Sequence, residues 1–160
     1  MDGFDRFVAQ LDHAVVIVTA RDRAGERSGC LVGFATQCSM DPPRLLVCLS
    51  KVNHTFGVAH DTDLLAVHAI PRDVGDLARL FAEETGDAVD KFARCAWRDG
   101  PEGVPLLDAC ADVLVGRVVQ RTDVGDHVAH VLEPRLVEGP AAAEVLRFHD
   151  VASFHPGHPA

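Results

Sequence analysis

The chain has 160 residues, of which 15 are basic and 24 are acidic, which gives a formal net charge of −9 at pH 7. This acidic balance argues against nucleic acid as a partner, because phosphate backbones attract clustered Lys and Arg. The length fits one domain, over residues 1–160, that buries its core without disulfides or metals. No stretch approaches the roughly 20 apolar residues of a membrane helix. Because the N-terminus also lacks a secretory signal, we expect a cytoplasmic protein without membrane partners.

The cysteines and histidines show no pattern of a metal centre. The cysteines number five, and they are Cys30, Cys38, Cys48, Cys95 and Cys110. An odd number without a C-x-x-C pair argues against a disulfide framework and against a zinc cluster. His54, His60 and His68 fall in one region, but they lack a recognised ligand spacing with a carboxylate. We therefore predict no metal site.

The first half of the chain has the pattern of short buried strands. Its β-branched and apolar runs are bounded by polar or turn residues, which is typical of strands in a core. The predicted elements are a strand over 13–20, a turn over 21–27, strands over 28–37 and 45–49, one or two helical turns over 54–60, and a strand over 64–70. Gly29 and Gly33 interrupt the second strand, and Asn53 is the expected N-cap of the helical turns.

The second half combines one helix with a long hairpin. Apolar residues at helical spacing predict a helix over 73–85. The remaining elements are an irregular stretch over 89–105, strands over 111–121 and 127–137 with a hairpin loop between them, a short helix over 140–146, a last strand within 146–154, and a loose tail over 155–160. Five or six strands with one good helix predict a mainly β fold, a closed antiparallel barrel with helical decoration and a core over about residues 11–154.

Several motifs occur in a specific order. Residues 28–43 read Ser-Gly-Cys-Leu-Val-Gly-Phe-Ala-Thr-Gln-Cys-Ser-Met-Asp-Pro-Pro, and residues 44–55 read Arg-Leu-Leu-Val-Cys-Leu-Ser-Lys-Val-Asn-His-Thr. Further along come Asp-Lys-Phe at 90–92, Leu-Leu-Asp at 106–108 and Gly-Asp-His at 125–127. Together they resemble the flavin reductase-like family of FMN-binding split barrels, over nearly the whole chain.

The resemblance implies an antiparallel, Greek-key-type split barrel that binds FMN or FAD near a homodimer interface. It implies flavin contacts from two loops and a nicotinamide, NADH or NADPH, near His127. The implied cofactor-binding residues are Leu31, Val32, Gly33, Phe34, Cys48, Leu49, Ser50, Lys51, Asn53, His54, Thr55 and Lys91.

The residue types in these segments suit such a ligand. A flavin phosphate needs several hydrogen-bond donors and preferably a cation, and Ser50, Lys51, Asn53 and Thr55 provide them within six positions. Gly29 and Gly33 allow a backbone to approach a planar ring closely, and the alternative is a pair of β-bulge glycines without a ligand. Hydride transfer needs no protein acid or base, so we assign His127 to binding and orientation and name no catalytic residue.

Three interpretations stay open. The first is an NAD(P)H-dependent flavin reductase, which the resemblance links to a separate monooxygenase that uses the reduced flavin. The second is a flavin- or other cofactor-binding protein without reductase activity. It is motivated by Leu31, where the family usually has Thr, and by Gly33 and Phe34, which replace small polar residues. The third is a deazaflavin-dependent oxidoreductase on a related barrel. The sequence does not choose between FMN and FAD or between NADH and NADPH.

Overall fold

The computed structural model describes residues 2–140 and 144–158. Nine strands and three α-helices alternate with short 3-10 turns in these residues. The strands are β1 (Val16–Arg21), β2 (Arg27–Val32), β3 (Ala35–Met40), β4 (Pro43–Ser50), β5 (Leu64–Ala69), β6 (Trp97–Asp99), β7 (Pro105–Leu107), β8 (Val113–Asp123) and β9 (His127–Glu138). The helices are α1 (Gly3–Ala9), α2 (His54–His60) and α3 (Gly75–Glu83), and 3-10 turns cover Arg72–Val74, Lys91–Arg94, Pro101–Gly103 and Phe148–Val151.

Seven of the strands form one antiparallel sheet in the order β2-β1-β5-β8-β9-β4-β3, and β6 pairs with β7 in a separate ribbon. β2 and β3 lie at opposite edges of the sheet, although only Gly33 and Phe34 separate them in sequence. In a flat sheet the edges would be about 29 Å apart, from six spacings of about 4.8 Å. The link from Val32 to Ala35 spans at most about 11 Å, from three steps of about 3.8 Å. The sheet must therefore curl until its edges nearly meet.

This geometry confirms the predicted antiparallel barrel and shows that it is split rather than closed. In the described part of the chain, no ladder of hydrogen bonds joins β2 to β3. We call the line where these two edges approach each other the seam. The link of Gly33 and Phe34 crosses the seam at one end of the sheet. The prediction of a single strand over 28–37 is wrong for the same reason, because the chain changes edges in the middle of it.

Among the described residues the core has three clusters: one inside the curled sheet, one between the sheet and α3, and a third that includes Leu64 of β5 and Leu106 of β7. The inner cluster includes Val18, Leu49 and Leu132, all fully buried. In the outer cluster Phe81 of α3 packs with Ile17 and Ile70. Phe81 also explains Gly29, because a Cβ at position 29 would lie 2.7 Å from the Phe81 ring. The close approach that this glycine allows is therefore to the protein's own phenyl ring, not to a ligand.

The strands, α2, α3 and the β8–β9 hairpin largely follow the sequence prediction, and the differences lie near the ends. α1 is not predicted, although Asp2 and Asp5 form its capping box. The stretch predicted as irregular contains the β6–β7 ribbon. Instead of a last strand there are only isolated bridges at Val145 and Arg147 and a 3-10 turn. Of the helix predicted over 140–146, residues 141–143 lie outside the described residues, and residues 144–146 form a bridge at Val145 instead of a helix. None of the described helices has the length and apolar character needed to cross a bilayer.

Candidate functional site

Three sequence-distant segments meet at the end of the sheet where the link crosses the seam. The Cys48 N–H of β4 donates to the Phe34 carbonyl, with N and O 2.9 Å apart. Two residues further along β4, Ser50 pairs with His127, the first residue of β9. The Lys51 N–H then donates to the Asp126 carbonyl at 3.0 Å. Antiparallel register therefore brings the link, the end of β4 and the start of β9 to one place.

An exposed ring pair lies at this place. The Phe34 ring is 46% exposed, although it belongs to a large apolar side chain. It meets the His127 ring at a centroid distance of 5.1 Å and an interplanar angle of 62°. A Cβ built on Gly33 would have no atom within 4 Å, so the space beside the link is open. We call Gly33, Phe34 and His127 the seam ledge.

Asp126 holds the His127 ring in place. Its Oδ1 lies 2.8 Å from His127 Nδ1, and this hydrogen bond is the main cause that lowers the pKa of the Asp126 carboxyl. Asp126 is therefore ionised near neutral pH and favours a tautomer with the proton on Nδ1. The other ring nitrogen, Nε2, is then left to accept a hydrogen bond from a ligand amide.

Beside the ledge is a cavity of about 230 Å³, which we call the seam cavity. One wall comes from Leu31, Ser50 and Asn53, three of the residues predicted from sequence. The rest of its lining consists of Phe81, Ala82, Glu84, Val151, Phe154, Pro156, Gly157 and His158. The Ser50 hydroxyl is buried and finds no hydrogen-bond partner among the described residues. A buried hydroxyl without a partner is costly, so a ligand that bonds to Ser50 would remove that cost.

Lys51 is the cation nearest to the ledge by sequence register. Its Nζ lies 2.6 Å from Asp123 Oδ2, and the two side chains are 37% and 69% exposed. The Lys51 hydrogen bond, followed by the Gly125 N–H, lowers the pKa of the Asp123 carboxyl. An exposed ion pair of this kind contributes little to stability, so Lys51 is free to exchange Asp123 for another anion.

The start of α2 uses most of its polar groups internally. The Asn53 side-chain oxygen accepts from the Thr55 N–H at 3.1 Å and caps the helix. Thr55 is fully buried, and its hydroxyl lies 2.8 Å from the Ser28 hydroxyl. The Thr55 side chain therefore ties α2 to β2 and points away from the seam cavity. Ser50, Lys51 and Asn53 stay predicted phosphate contacts, while the Thr55 hydroxyl is already engaged with Ser28.

His54 lies between two carboxylates. Its Nδ1 is 2.6 Å from Asp87 Oδ1, and its Nε2 is 2.7 Å from Glu26 Oε1. The hydrogen bond with His54 lowers the pKa of Asp87. Because both ring nitrogens are engaged, the imidazole links α2 to the β1–β2 turn and to the loop after α3. It is not available for a phosphate in this arrangement.

Lys91 also has a structural task. It is 5% exposed, and its ammonium donates to the carbonyls of Gly29, at 2.9 Å, and Phe81, at 3.2 Å. Burial lowers the pKa of Lys91. The side chain joins β2 to the end of α3. The sequence prediction of Lys91 as a flavin contact is replaced by this role.

The predicted site residues thus divide into three groups. One group, His54, Thr55 and Lys91, already uses its side chains in contacts within the protein. Those that face the seam are Leu31, Gly33, Phe34, Ser50, Lys51, Asn53 and His127. The side chains of Val32 and Leu49 are in the inner core, and Cys48 is half-buried with a pKa raised by burial. Only their backbone groups remain candidates for contact.

Sequence reasoning missed the part of the cavity lining that comes from α3 and the C-terminal residues. α3 and the C-terminal residues carry no motif, and their position depends on packing over long sequence distances. It also missed His13, whose ring centroid is 6.4 Å from that of Phe34 and 5.6 Å from that of Phe148. The short run of rings beside the ledge had no signal in the local sequence.

Fold and site together define a split barrel that offers a ring-lined ledge and a polar cavity at its seam. The family model described as "Flavin reductase like domain" matches residues 8–152. The chain belongs to the flavin reductase-like family.

Individual relatives agree with this assignment. The chain is 33% identical over 121 residues to the actinorhodin polyketide dimerase of Streptomyces coelicolor, which covers 76% of the chain and 67% of that protein. It is 30% identical to the FMN reductase (NADH) of Bradyrhizobium diazoefficiens, over 75% of the chain and 66% of the relative. It is 29% identical to the 4-hydroxyphenylacetate 3-monooxygenase reductase component of Pseudomonas aeruginosa, over 82% of the chain and 77% of the relative.

Not all relatives have the same length. Two from Rhizobium meliloti, at 31% and 30% identity, are matched over only 39% and 50% of their length. Among solved structures, a flavin reductase domain protein from Arthrobacter sp. FB24 superposes with a TM-score of 0.78 over 92% of each chain, at 22% identity. At that identity the superposition supports the fold alone.

The chemical groups that the seam residues offer suit a flavin. The Phe34 ring offers a face for a planar ring, the open space beside Gly33 admits one, and Ser50 and Lys51 offer a hydroxyl and a cation for a phosphate. The volume fits less well, because small-molecule pockets usually enclose roughly 300–1,000 Å³ and the seam cavity encloses about 230 Å³.

Proposed function

We propose that the protein is an NAD(P)H-dependent flavin reductase that binds FMN or FAD at the seam. The observation that carries this proposal is the meeting of Phe34 and His127 with Ser50 and Lys51 at one end of a flavin reductase-like barrel. Relatives named FMN reductase (NADH) and monooxygenase reductase component support the same activity.

Each seam residue has a separate task in this proposal. The ledge of Gly33 and Phe34 supports the flavin ring, with backbone groups of residues 31–34 at its polar edge. Ser50, Asn53 and Lys51 hold the phosphate, and Lys51 leaves Asp123 to do so. His127, fixed by Asp126, accepts a hydrogen bond from the nicotinamide carboxamide and orients the ring.

The chemistry comes from the two nucleotides, since a hydride passes from the dihydronicotinamide carbon to the flavin when their rings are stacked. The protein binds, orients and excludes water, and no side chain has to supply or remove a proton during the transfer. Of the three ledge residues, Gly33, Phe34 and His127, only His127 has a titratable side chain, and its proposed task is binding.

The direct test is nicotinamide oxidation with added flavin. We expect the purified protein to oxidise NADH or NADPH in the presence of FMN, FAD or riboflavin, measured by loss of the reduced nicotinamide absorbance under anaerobic conditions. Absence of turnover with every flavin and both nicotinamides would contradict the proposal. Tight flavin binding without turnover would favour a flavin-binding protein, and turnover only with a deazaflavin would favour the third interpretation.

Finer points belong to the same proposal. We propose a homodimer, a cytoplasmic location and a separate monooxygenase that takes up the reduced flavin, as the family resemblance and the relative from Pseudomonas aeruginosa suggest. Sedimentation equilibrium of the purified protein tests the dimer. Stimulation of a flavin-dependent monooxygenase by the protein and NADH, compared with chemically reduced flavin, tests the transfer.

A further inference from the structure

The C-terminal residues lie against the seam cavity instead of being loose. Residues 151–158, which we call the strap, supply Val151, Phe154, Pro156, Gly157 and His158 to the cavity wall. The same cavity is lined by Leu31, Ser50 and Asn53, three of the proposed flavin contacts. The strap therefore shares this cavity with part of the site that the proposed function assigns to the flavin.

We propose that the strap competes with flavin for the seam cavity and must leave α3 before a flavin can bind. This inference rests on the proposed function. It makes the strap a gate that sets the apparent affinity for flavin, because only molecules with the strap released are competent to bind.

The strap binds α3 mainly through N–H groups of the strap's own backbone. The Gly157 N–H donates to the Ala82 carbonyl at 3.1 Å, and the His155 N–H donates to Glu83 Oε1 at 3.1 Å. The Arg79 guanidinium also lies 4.5 Å from the Phe154 ring centroid. Gly157 comes so close to the helix that a Cβ at this position would lie 2.7 Å from the Glu83 carbonyl oxygen. The contact thus depends on glycine at position 157.

A polar chain connects the end of the strap to the start of α2. His158 Nε2 lies 2.7 Å from Thr85 Oγ1 and 3.3 Å from Asp87 Oδ2. The other oxygen of Asp87 is bonded to His54, which follows Asn53 directly in the chain. Displacement of the strap therefore loosens the contacts of the residue next to a proposed phosphate ligand.

The size of the cavity favours displacement over simple closure on a bound flavin. With the strap in place the cavity encloses about 230 Å³, which is less than the roughly 300–1,000 Å³ of ordinary small-molecule pockets. A flavin mononucleotide is at least as large as the ligands that such pockets hold. The rest of the cavity lining comes from β2, the end of β4 and α3, which belong to the sheet and the packed core. The strap packs Val151 and Phe154 against the outer core cluster, but its other contacts are few and partly exposed, so it is the part of the lining that we expect to give way at least cost.

Gly157→Ala is the test variant, because its methyl group acts as a wedge between the strap and α3. His155→Ala is the matched control, since among the described contacts residue 155 uses its backbone and its side chain is exposed. We expect Gly157→Ala to lower the Kd for FMN roughly tenfold by raising the fraction of open molecules, and His155→Ala to leave it unchanged. FMN binding is measured by quenching of flavin fluorescence, and thermal unfolding verifies that both variants are folded.

The direction in which Gly157→Ala changes the affinity for FMN decides whether the strap competes with flavin. Equal or weaker FMN binding by Gly157→Ala, in a protein whose wild type binds and reduces flavin, would overturn the strap as a competitor and leave the proposed function intact. Flavin binding by neither the wild type nor the variant would overturn both. Flavin binding by Gly157→Ala alone would be the strongest support.

Hydrogen exchange gives a second, independent readout. The Gly157 amide is hydrogen-bonded to Ala82 and should exchange slowly in the free protein. We expect faster exchange of the peptide that contains Gly157 when the wild-type protein is saturated with FMN. Slower or unchanged exchange at saturation would show that the strap stays in place over bound flavin and would overturn the proposal.

Discussion

The rings of Phe34 and His127 meet edge to face beside the seam, with their centroids 5.1 Å apart. Phe34 belongs to the two-residue link between the edges of the sheet, and His127 begins β9. They meet because β4 pairs with β9 on one side, while on the other side the Cys48 N–H of β4 donates to the Phe34 carbonyl of the link. The contact fixes the relative position of the residue proposed to support the flavin and the residue proposed to orient the nicotinamide. The site is therefore a consequence of the strand order.

His127→Ala should affect the nicotinamide more than the flavin. Loss of one hydrogen bond to the carboxamide should raise the KM for NADH roughly tenfold, with a smaller change in the Kd for FMN. Steady-state kinetics and fluorescence titration give the two values. His60→Ala, an exposed histidine on α2, is the control. The opposite pattern, with FMN affinity falling more than NADH affinity, would move His127 into the flavin pocket.

Lys51 and Asp123 form an ion pair, and substitutions of these two residues should have opposite effects on flavin binding. If Lys51 bonds to the phosphate, Lys51→Ala should weaken FMN binding by about 1.5–3 kcal/mol. Asp123→Asn should strengthen it, because Asp123 Oδ2 lies 2.6 Å from Lys51 Nζ and competes with the phosphate. Riboflavin, which lacks the phosphate, is the control ligand and should respond to neither change. An equal response of riboflavin and FMN would remove Lys51 from the phosphate site.

The sequence was sufficient for the fold class, whereas the ligand contacts that it suggests stay predictions. Short β-branched and apolar runs predict strands, and the motif order places Ser50, Lys51, Gly33, Phe34 and His127 in two loops and a hairpin. The sequence was not sufficient to say which side chains are already engaged. Lys91 and Thr55 have the right chemistry for a phosphate, yet their partners, Gly29 and Ser28, lie more than 25 residues away and are found only by packing.

The position of the C-terminal residues against α3 could not be predicted from the sequence either. A stretch rich in His, Pro and Gly has the composition of a loose tail, and no local pattern predicts otherwise. Its position depends on Gly157, which fits against α3 only because it lacks a Cβ. Such a contact is specified jointly by two surfaces that are far apart in sequence.

Lys91→Met should lower stability without weakening flavin binding. Methionine fills a similar volume but leaves the carbonyls of Gly29 and Phe81 without their donor, which should reduce the free energy of unfolding by about 1–3 kcal/mol. Urea denaturation measures the change. Arg94→Ala is the control on the same 3-10 turn, because Arg94 is exposed and its contact with Glu84 is 3.7 Å long. We expect Arg94→Ala to change stability by less than about 0.5 kcal/mol. Unchanged stability of Lys91→Met would show that the buried ammonium is not a structural tie.

His68 should make stability depend on pH below neutrality. The ring is fully buried between β1 and β7, where Nδ1 lies 3.1 Å from the Ile17 carbonyl and Nε2 accepts from the Leu107 N–H at 3.1 Å. Burial is the main cause that lowers the pKa of His68 to about 4 from its usual 6.5. Between these two values the unfolded chain binds a proton that the folded protein does not. Stability should therefore fall as the pH drops from about 6.5 to about 4, and this contribution is constant above that window.

A variant separates the His68 contribution from those of the carboxylates. His68→Gln keeps a donor and an acceptor in the site but does not titrate, so its stability should vary less with pH over this window than that of the wild type. Urea denaturation at several pH values, for both proteins, measures the difference between the two slopes. Carboxylates such as Asp87, Asp123 and Asp126, whose pKa values are lowered in the folded protein, lose their contributions only at lower pH. Parallel curves for wild type and His68→Gln between pH 6.5 and about 4 would show that His68 protonates without cost in the folded state, and the buried neutral ring would have to be abandoned.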